Sequence, residues 1–99
     1  MLAADLDVFL NLGEFGEEHV VEGKTIAAVL DDAVLVDSKA AAELGLAQGD
    51  LVLFAKAAEL PSQRPAGEAL NVDGSEYNIA AWRVDCGMAR IYLCQNTAG

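Results

Sequence analysis

The chain has 99 residues, 54% of them hydrophobic, and carries sixteen acidic against six basic side chains for a formal net charge of -10. That length fits one domain, residues 1–99, near the smallest size at which a single apolar core sustains itself. The acidic excess disfavours sequence-independent binding to nucleic acid or anionic lipid, since both rely on Lys and Arg neutralising phosphate. No apolar stretch approaches the roughly 20 residues of a membrane-spanning helix, and MLAADLDVF lacks the basic start and long apolar run of a secretory leader, so a soluble, unexported protein is expected.

The first segment places Leu2, Leu6, Phe9 and Leu10 at helical spacing, with Asp5 and Asp7 near the positive end and Gly13 as a stop. A short amphipathic helix is predicted at about residues 3–12. The period then changes to two. In HVVEGKTIAAVL, Glu22-Gly23 and Gly23-Lys24 both serve as a two-residue turn, and either choice puts His19, Val21, Ile26, Ala28 and Leu30 on one face. A long connection follows, 31–49, and such loops are usually functional or disordered. It holds an apolar triplet, Val34, Leu35 and Val36, then Ser38 as a helix cap, the helix-forming run KAAAEL and Gly45 as a stop. The triplet either continues the preceding strand or marks a contact with another chain, and pairing of its edge with a partner strand would reconcile the two.

GDLVLFAKA reads as a strand entered through a Gly49-Asp50 turn, and LPSQRPAGE, with both prolines, as a surface bend. An Asp73-Gly74 turn sets Leu70, Val72, Tyr77 and Ile79 on one face and Asn71, Glu76 and Asn78 on the other. The alternative for this stretch, a calcium loop through Asp73 and Glu76, fails because Tyr77 and Ile79 fall where oxygen donors are required. The last hairpin, turning at Cys86-Gly87, aligns Trp82, Val84, Ala89, Ile91 and Leu93. Ile79 and Trp82 differ by an odd number, so the inward face must switch near Ala80-Ala81, as at a bulge that turns a barrel corner. The expected fold is all-β: a small antiparallel barrel or sandwich of about six strands over 17–95, with the N-terminal helix and the long loop after the first hairpin.

Reactive constellations are sparse. Cys86 at the hairpin tip and Cys94 farther along the strand are too distant to pair, since eight strand residues span ~26 Å at ~3.3 Å each; they read as thiols of a reducing compartment. Arg90 is the one cation within strand reach of Cys94. His19 is the single histidine, which leaves a metal site short of nitrogen donors. No serine sits in a G-x-S-x-G elbow; Ser38, Ser62 and Ser75 fall at turn or cap positions. Gly23-Lys24-Thr25 has the end of a phosphate loop without its first glycine. No catalytic residue, metal ligand or cofactor site is assigned, and an enzyme is not expected.

Phe9, Phe15 and Gly16 before the first hairpin, the turn Val21-Glu22-Gly23-Lys24, the long loop, Gly49-Asp50, Gly67, Val72-Asp73-Gly74, Tyr77, Gly87-Met88 and Leu93 form a further pattern. Over nearly the whole chain it resembles the small head-tail joining proteins of tailed bacteriophages and prophages, the neck, head-completion or stopper components that include the lambda-like joining protein. The resemblance implies a non-enzymatic structural protein without cofactor: a β-barrel that forms a ring with copies of itself beneath the portal. It would seal the DNA-filled head, meet the portal adaptor and tail terminator, and dock the tail. Its place would be the virion neck, reached by assembly in the bacterial host cytoplasm. The long loop would approach the ring channel, which makes Val34, Leu35, Val36 and Lys39 the expected assembly contacts. An acidic ring would let DNA pass without specific binding. The competing reading is a small bacterial β-barrel module that binds an anion or small ligand, because AELGLAQGDLVLF resembles the helix-turn-strand entry of such domains, with Ser38 and Gly49 near the ligand. The acidic balance weighs against it.

Overall fold

The computed structural model describes residues 17–47 and 49–95; the N-terminal helix expected at 3–12 lies outside them. Six strands, β1 (Glu17–Val21), β2 (Lys24–Asp32), β3 (Leu51–Lys56), β4 (Ala69–Val72), β5 (Ser75–Asp85) and β6 (Met88–Gln95), close into an antiparallel barrel in the order β1-β2-β3-β6-β5-β4. Two short helices, α1 (Ala33–Val36) and α2 (Ser38–Leu44), fill the connection from β2 to β3.

The three hairpins share one local solution. Glu22-Gly23, Asp73-Gly74 and Cys86-Gly87 each put two consecutive residues at positive φ, with values of 52° and 84°, 54° and 85°, and 54° and 77°. That is the reversal whose twist matches the flanking strands, and the glycine carries the second left-handed position without a Cβ penalty. The first turn is therefore Glu22-Gly23, with Val21 opposite Lys24. The second sets Val72 opposite Ser75 and Leu70 opposite Tyr77.

Register then decides what is inside. Val21, Ile26, Ala28, Leu53, Ala55, Leu70, Val72, Ile79, Trp82, Ile91 and Leu93 form the barrel interior, with Leu30 and Tyr77 packed against it. Burying each large aliphatic there contributes roughly 1.5–3 kcal/mol. The inward face of β5 does switch: Ile79 lies opposite Leu93 but Ala81 opposite Tyr92, with a bulge between. Val84, expected inward, is 46% exposed. It pairs with Ala89 next to the Cys86-Gly87 turn, where the strands run out past the packed interior.

The seam between β1 and β4 is short in backbone pairing, with Val21 opposite Val72, and side chains extend it. The Asp73 carboxylate accepts from Val20 N–H at 2.8 Å and lies 2.6 Å from His19 Nδ1. Glu22 accepts from Asn71 N–H at 2.7 Å and lies 3.3 Å from Arg64 Nη1. Those contacts hold both carboxyls below their ordinary range: for Asp73 the His19 ring and then Val20 N–H, for Glu22 the Asn71 N–H and then Arg64. The proline-containing bend at 60–68 is pinned to the wall by Gln63 Nε2 donating to Trp82 O at 2.8 Å and Arg64 Nη1 to Ala69 O at 2.7 Å.

Candidate assembly surface

The connection from β2 to β3 begins at Asp32. One oxygen of its carboxylate accepts from Val34 N–H at 2.9 Å and Leu35 N–H at 3.2 Å, capping α1. The other accepts from Gly49 N–H at 3.2 Å, so the same side chain ties the two ends of the connection together. Val34, Leu35 and Val36 are thereby helical: β2 ends at Asp32, and the triplet, being helical, neither prolongs the strand nor offers a strand edge. Two short-range hydrogen bonds to one carboxylate oxygen at the first turn outweigh the β-propensity of Val-Leu-Val.

Asp37 caps α2, accepting from Ala40 N–H at 3.1 Å. Ser38, expected as the cap, is instead the first helical residue. Gly45 ends α2 as expected, at φ 73°, with Leu46 N–H reaching back to Ala41 O at 2.8 Å.

The helices are held down by a second apolar cluster outside the barrel. Ala33, Ala40, Val52 and Tyr92 are buried there, with Leu44, Leu46, Phe54, Ala80 and Ala81 packed around them. Tyr92 is fully buried, and its hydroxyl donates to Asp37 Oδ2 at 3.0 Å. Arg90 Nη1 stands 3.8 Å from the same oxygen, and the Arg83 guanidinium lies 5.5 Å from the centre of the Tyr92 ring. The Ala40 N–H, assisted by the Tyr92 hydroxyl and the arginine charges and opposed by burial, holds the Asp37 carboxyl below its usual range. Burial first, and Asp37 second, push the Tyr92 phenol up.

On this rigid platform the expected contact residues divide. Val34 is half-buried, Leu35 is 80% exposed, Val36 is 42% exposed and Lys39 is exposed. Leu35 and Val36 thus form an apolar knuckle on α1, fixed from below by Asp32 and Ala33. The Asp37–Tyr92–Arg90–Arg83 group was not singled out from sequence. A signal was available: with Ile91 and Leu93 inward, Tyr92 must face outward, and a large aromatic on an outer face implies a second layer over it.

The other sequence candidates resolve as local structure. Asp73, considered as a cation ligand, spends both carboxylate oxygens on β1. Among the described residues, no group of three or more His, Cys, Asp or Glu side chains is arranged to hold a metal ion. Cys86 and Cys94 are not joined by a disulfide. The Cys94 thiol donates to Asn78 O at 3.5 Å, and Arg90 is directed to Asp37 instead of to that thiol.

No family model and no curated protein matches the chain. Among solved structures it is similar to the ATP-binding sugar transporter-like protein from Salmonella typhimurium, with a TM-score of 0.51 and 15% sequence identity over 96% of this chain and 89% of that chain. At that identity the likeness extends to the fold alone.

Proposed function

We propose that the chain is a structural neck protein of a tailed bacteriophage or prophage, joining head to tail as one subunit of a ring that seals the filled head. The observation that carries this reading is the apolar knuckle of Leu35 and Val36, exposed on a helical connection that is itself clamped to the barrel wall. A large exposed leucine on a well-anchored element has no role in the fold of the monomer and suits contact with another chain. The closed barrel with an elaborated connection after its first hairpin agrees with the architecture the resemblance implies. The charge of -10 suits a ring through which DNA passes without adhering. On this reading Leu35 and Val36 meet an adjoining neck layer, Lys39 lies at the margin of that contact, and Val34 supports it from beneath. The work done is mechanical, and no residue is assigned to turnover.

The test is a Leu35→Ser/Val36→Ser variant, co-expressed with a phage portal adaptor and tail terminator and followed by native mass spectrometry and electron microscopy of heads. The expected result is an unchanged monomer melt with loss of neck assembly and leakage of DNA from heads. Heads closed as efficiently as with the unaltered chain would reject the assignment.

A further inference from the structure

The long strand β5 is flanked unevenly. Its first part is held on both sides, with residues 75–78 paired to β4 and Gly67 and Glu68 exchanging hydrogen bonds with Ile79. Beyond Ile79 its ladder runs to β6 alone. The chain after β3 returns to this end of β5 at two points: Ala57 N–H donates to Gly87 O at 2.9 Å, and Gln63 Nε2 donates to Trp82 O at 2.8 Å. Between those pins the edge of β5 is bare. Which groups point out there follows from the hairpin. Its two-residue turn makes Asp85–Met88 a hydrogen-bonded pair and Arg83–Arg90 the next, so Val84, opposite Ala89, falls between them. The N–H and C=O of Val84 and Trp82 therefore point away from β6, and Trp82 O meets Gln63 in that direction. Among the described residues, nothing donates to Val84 O or accepts from Val84 N–H.

Unpaired strand backbone is a template for a further strand, and edges are commonly blunted by charge. Here the charges select instead of repel. Arg83 and Asp85, both exposed, stand on the outer face on either side of Val84, whose side chain has the other parity and is 46% exposed. When two such edges pair antiparallel, outward-pointing residues must face one another, which leaves Trp82, Arg83, Val84 and Asp85 as possible centres. A centre at Arg83 sets Arg83 against its own copy, and one at Asp85 sets Asp85 against its own copy; both repel. A centre at Trp82 calls on a carbonyl that Gln63 already occupies. A centre at Val84 satisfies the N–H and C=O of both valines, lays the two exposed side chains beside each other, and puts each Arg83 opposite the other copy's Asp85.

We propose that a second copy of this chain occupies this edge, the two β5 strands pairing antiparallel about Val84. The contact is isologous, the same residues 82–86 on both sides, so it stops at a dimer. It is not a ring interface and does not rest on the neck reading. Arg90 and Asp37 stand on the β6 side, away from the edge, and keep each other as partners. Arg83, whose guanidinium lies 5.5 Å from the centre of the Tyr92 ring, gains a carboxylate on its other side. A contact of so few residues belongs to the weak, transient class, and salt loosens it because both charges are solvent-exposed.

The experiment is a concentration series of the isotope-labelled full chain up to ~1 mM, the weak end of specific affinity, read by amide chemical shifts and by sedimentation equilibrium. Concentration-dependent shifts are expected at residues 82–86, together with a monomer–dimer mass curve. Arg83→Asp alone and Asp85→Arg alone each set like charges opposite one another and are expected to abolish both signals. An equimolar mixture of the two regains them, and so does the Arg83→Asp/Asp85→Arg chain by itself, because every pair across the contact is again of unlike charge. Val84→Pro removes the outward N–H without taking a hydrogen bond from β6; it is expected to stay monomeric with amide shifts away from β5 unchanged. Signals absent from the wild type at ~1 mM, shifts that fall at Leu35 and Val36 or elsewhere, or species larger than a dimer overturn the proposal. Failure of both the mixture and the doubly exchanged chain to regain the signals overturns it as well.

Discussion

Replacing Asp37 with Ala removes two things at once. The Ala40 N–H loses its cap, at a cost of about 1 kcal/mol, and the hydroxyl of fully buried Tyr92 loses the acceptor at 3.0 Å, leaving a buried donor unsatisfied at roughly 1–3 kcal/mol. The sum is about 2–4 kcal/mol, which at roughly 4–8 °C per kcal/mol for a domain of this size lowers Tm by at least about 8 °C. Tyr92→Phe on its own loses one net hydrogen bond, about 1 kcal/mol. The double variant separates the contributions: with Phe at 92 there is no orphaned hydroxyl, so Tyr92→Phe made in the Asp37→Ala background is neutral or stabilising. Urea unfolding of the four proteins, with midpoints compared at unchanged m, measures that coupling. If the two losses simply add, Asp37 acts on α2 as a cap alone, and the argument that it locks the helices to β6 through Tyr92 is wrong.

Acid should loosen the seam between β1 and β4. Asp73 and Glu22 are held below their ordinary carboxyl range in the fold, so the unfolded chain binds protons first as pH falls. The stability they contribute is present above the unfolded value and is lost as pH drops through the folded one. Urea midpoints taken from pH 7 down to about 3 should decline for the wild type, and Asp73→Asn should begin lower at neutral pH and decline less steeply. An unchanged acid slope in Asp73→Asn would show that the clasp does not couple to folding. In the core, Leu93→Ala should cost about 2–5 kcal/mol, because Leu93 is fully buried in the barrel interior. Val84→Ala, half in solvent despite its matching parity, should stay within about 0.5 kcal/mol; equal losses in chemical denaturation would mean that Val84 is packed.

The barrel was legible because its information is local. Three two-residue reversals with glycine at the second position fix three registers, and register with period two fixes which side chains face inward. Even the bulge followed from parity, since Ile79 and Trp82 cannot share a face on a regular strand. Val84 shows the limit of the same rule. Parity assigns a face, but whether that face is covered at a given height depends on where neighbouring strands end, which is a property of the closed barrel.

The surface was less legible, for a reason that bears on its use. Val34–Val36 read either as a continuation of the strand or as a contact with another chain, and Asp32, reaching to Val34, Leu35 and Gly49 together, caps them as a helical turn. That choice depends on the β2 and β3 ends being brought together by long-range pairing. Arg83 and Arg90 are seven residues apart in sequence, where Arg90 reads only as the cation within strand reach of Cys94. The Cys86-Gly87 turn places them opposite each other, with Asp37 beside Arg90 and the Tyr92 ring under Arg83. Core positions are specified by what each strand must hide, whereas contact faces arise from which strands become neighbours.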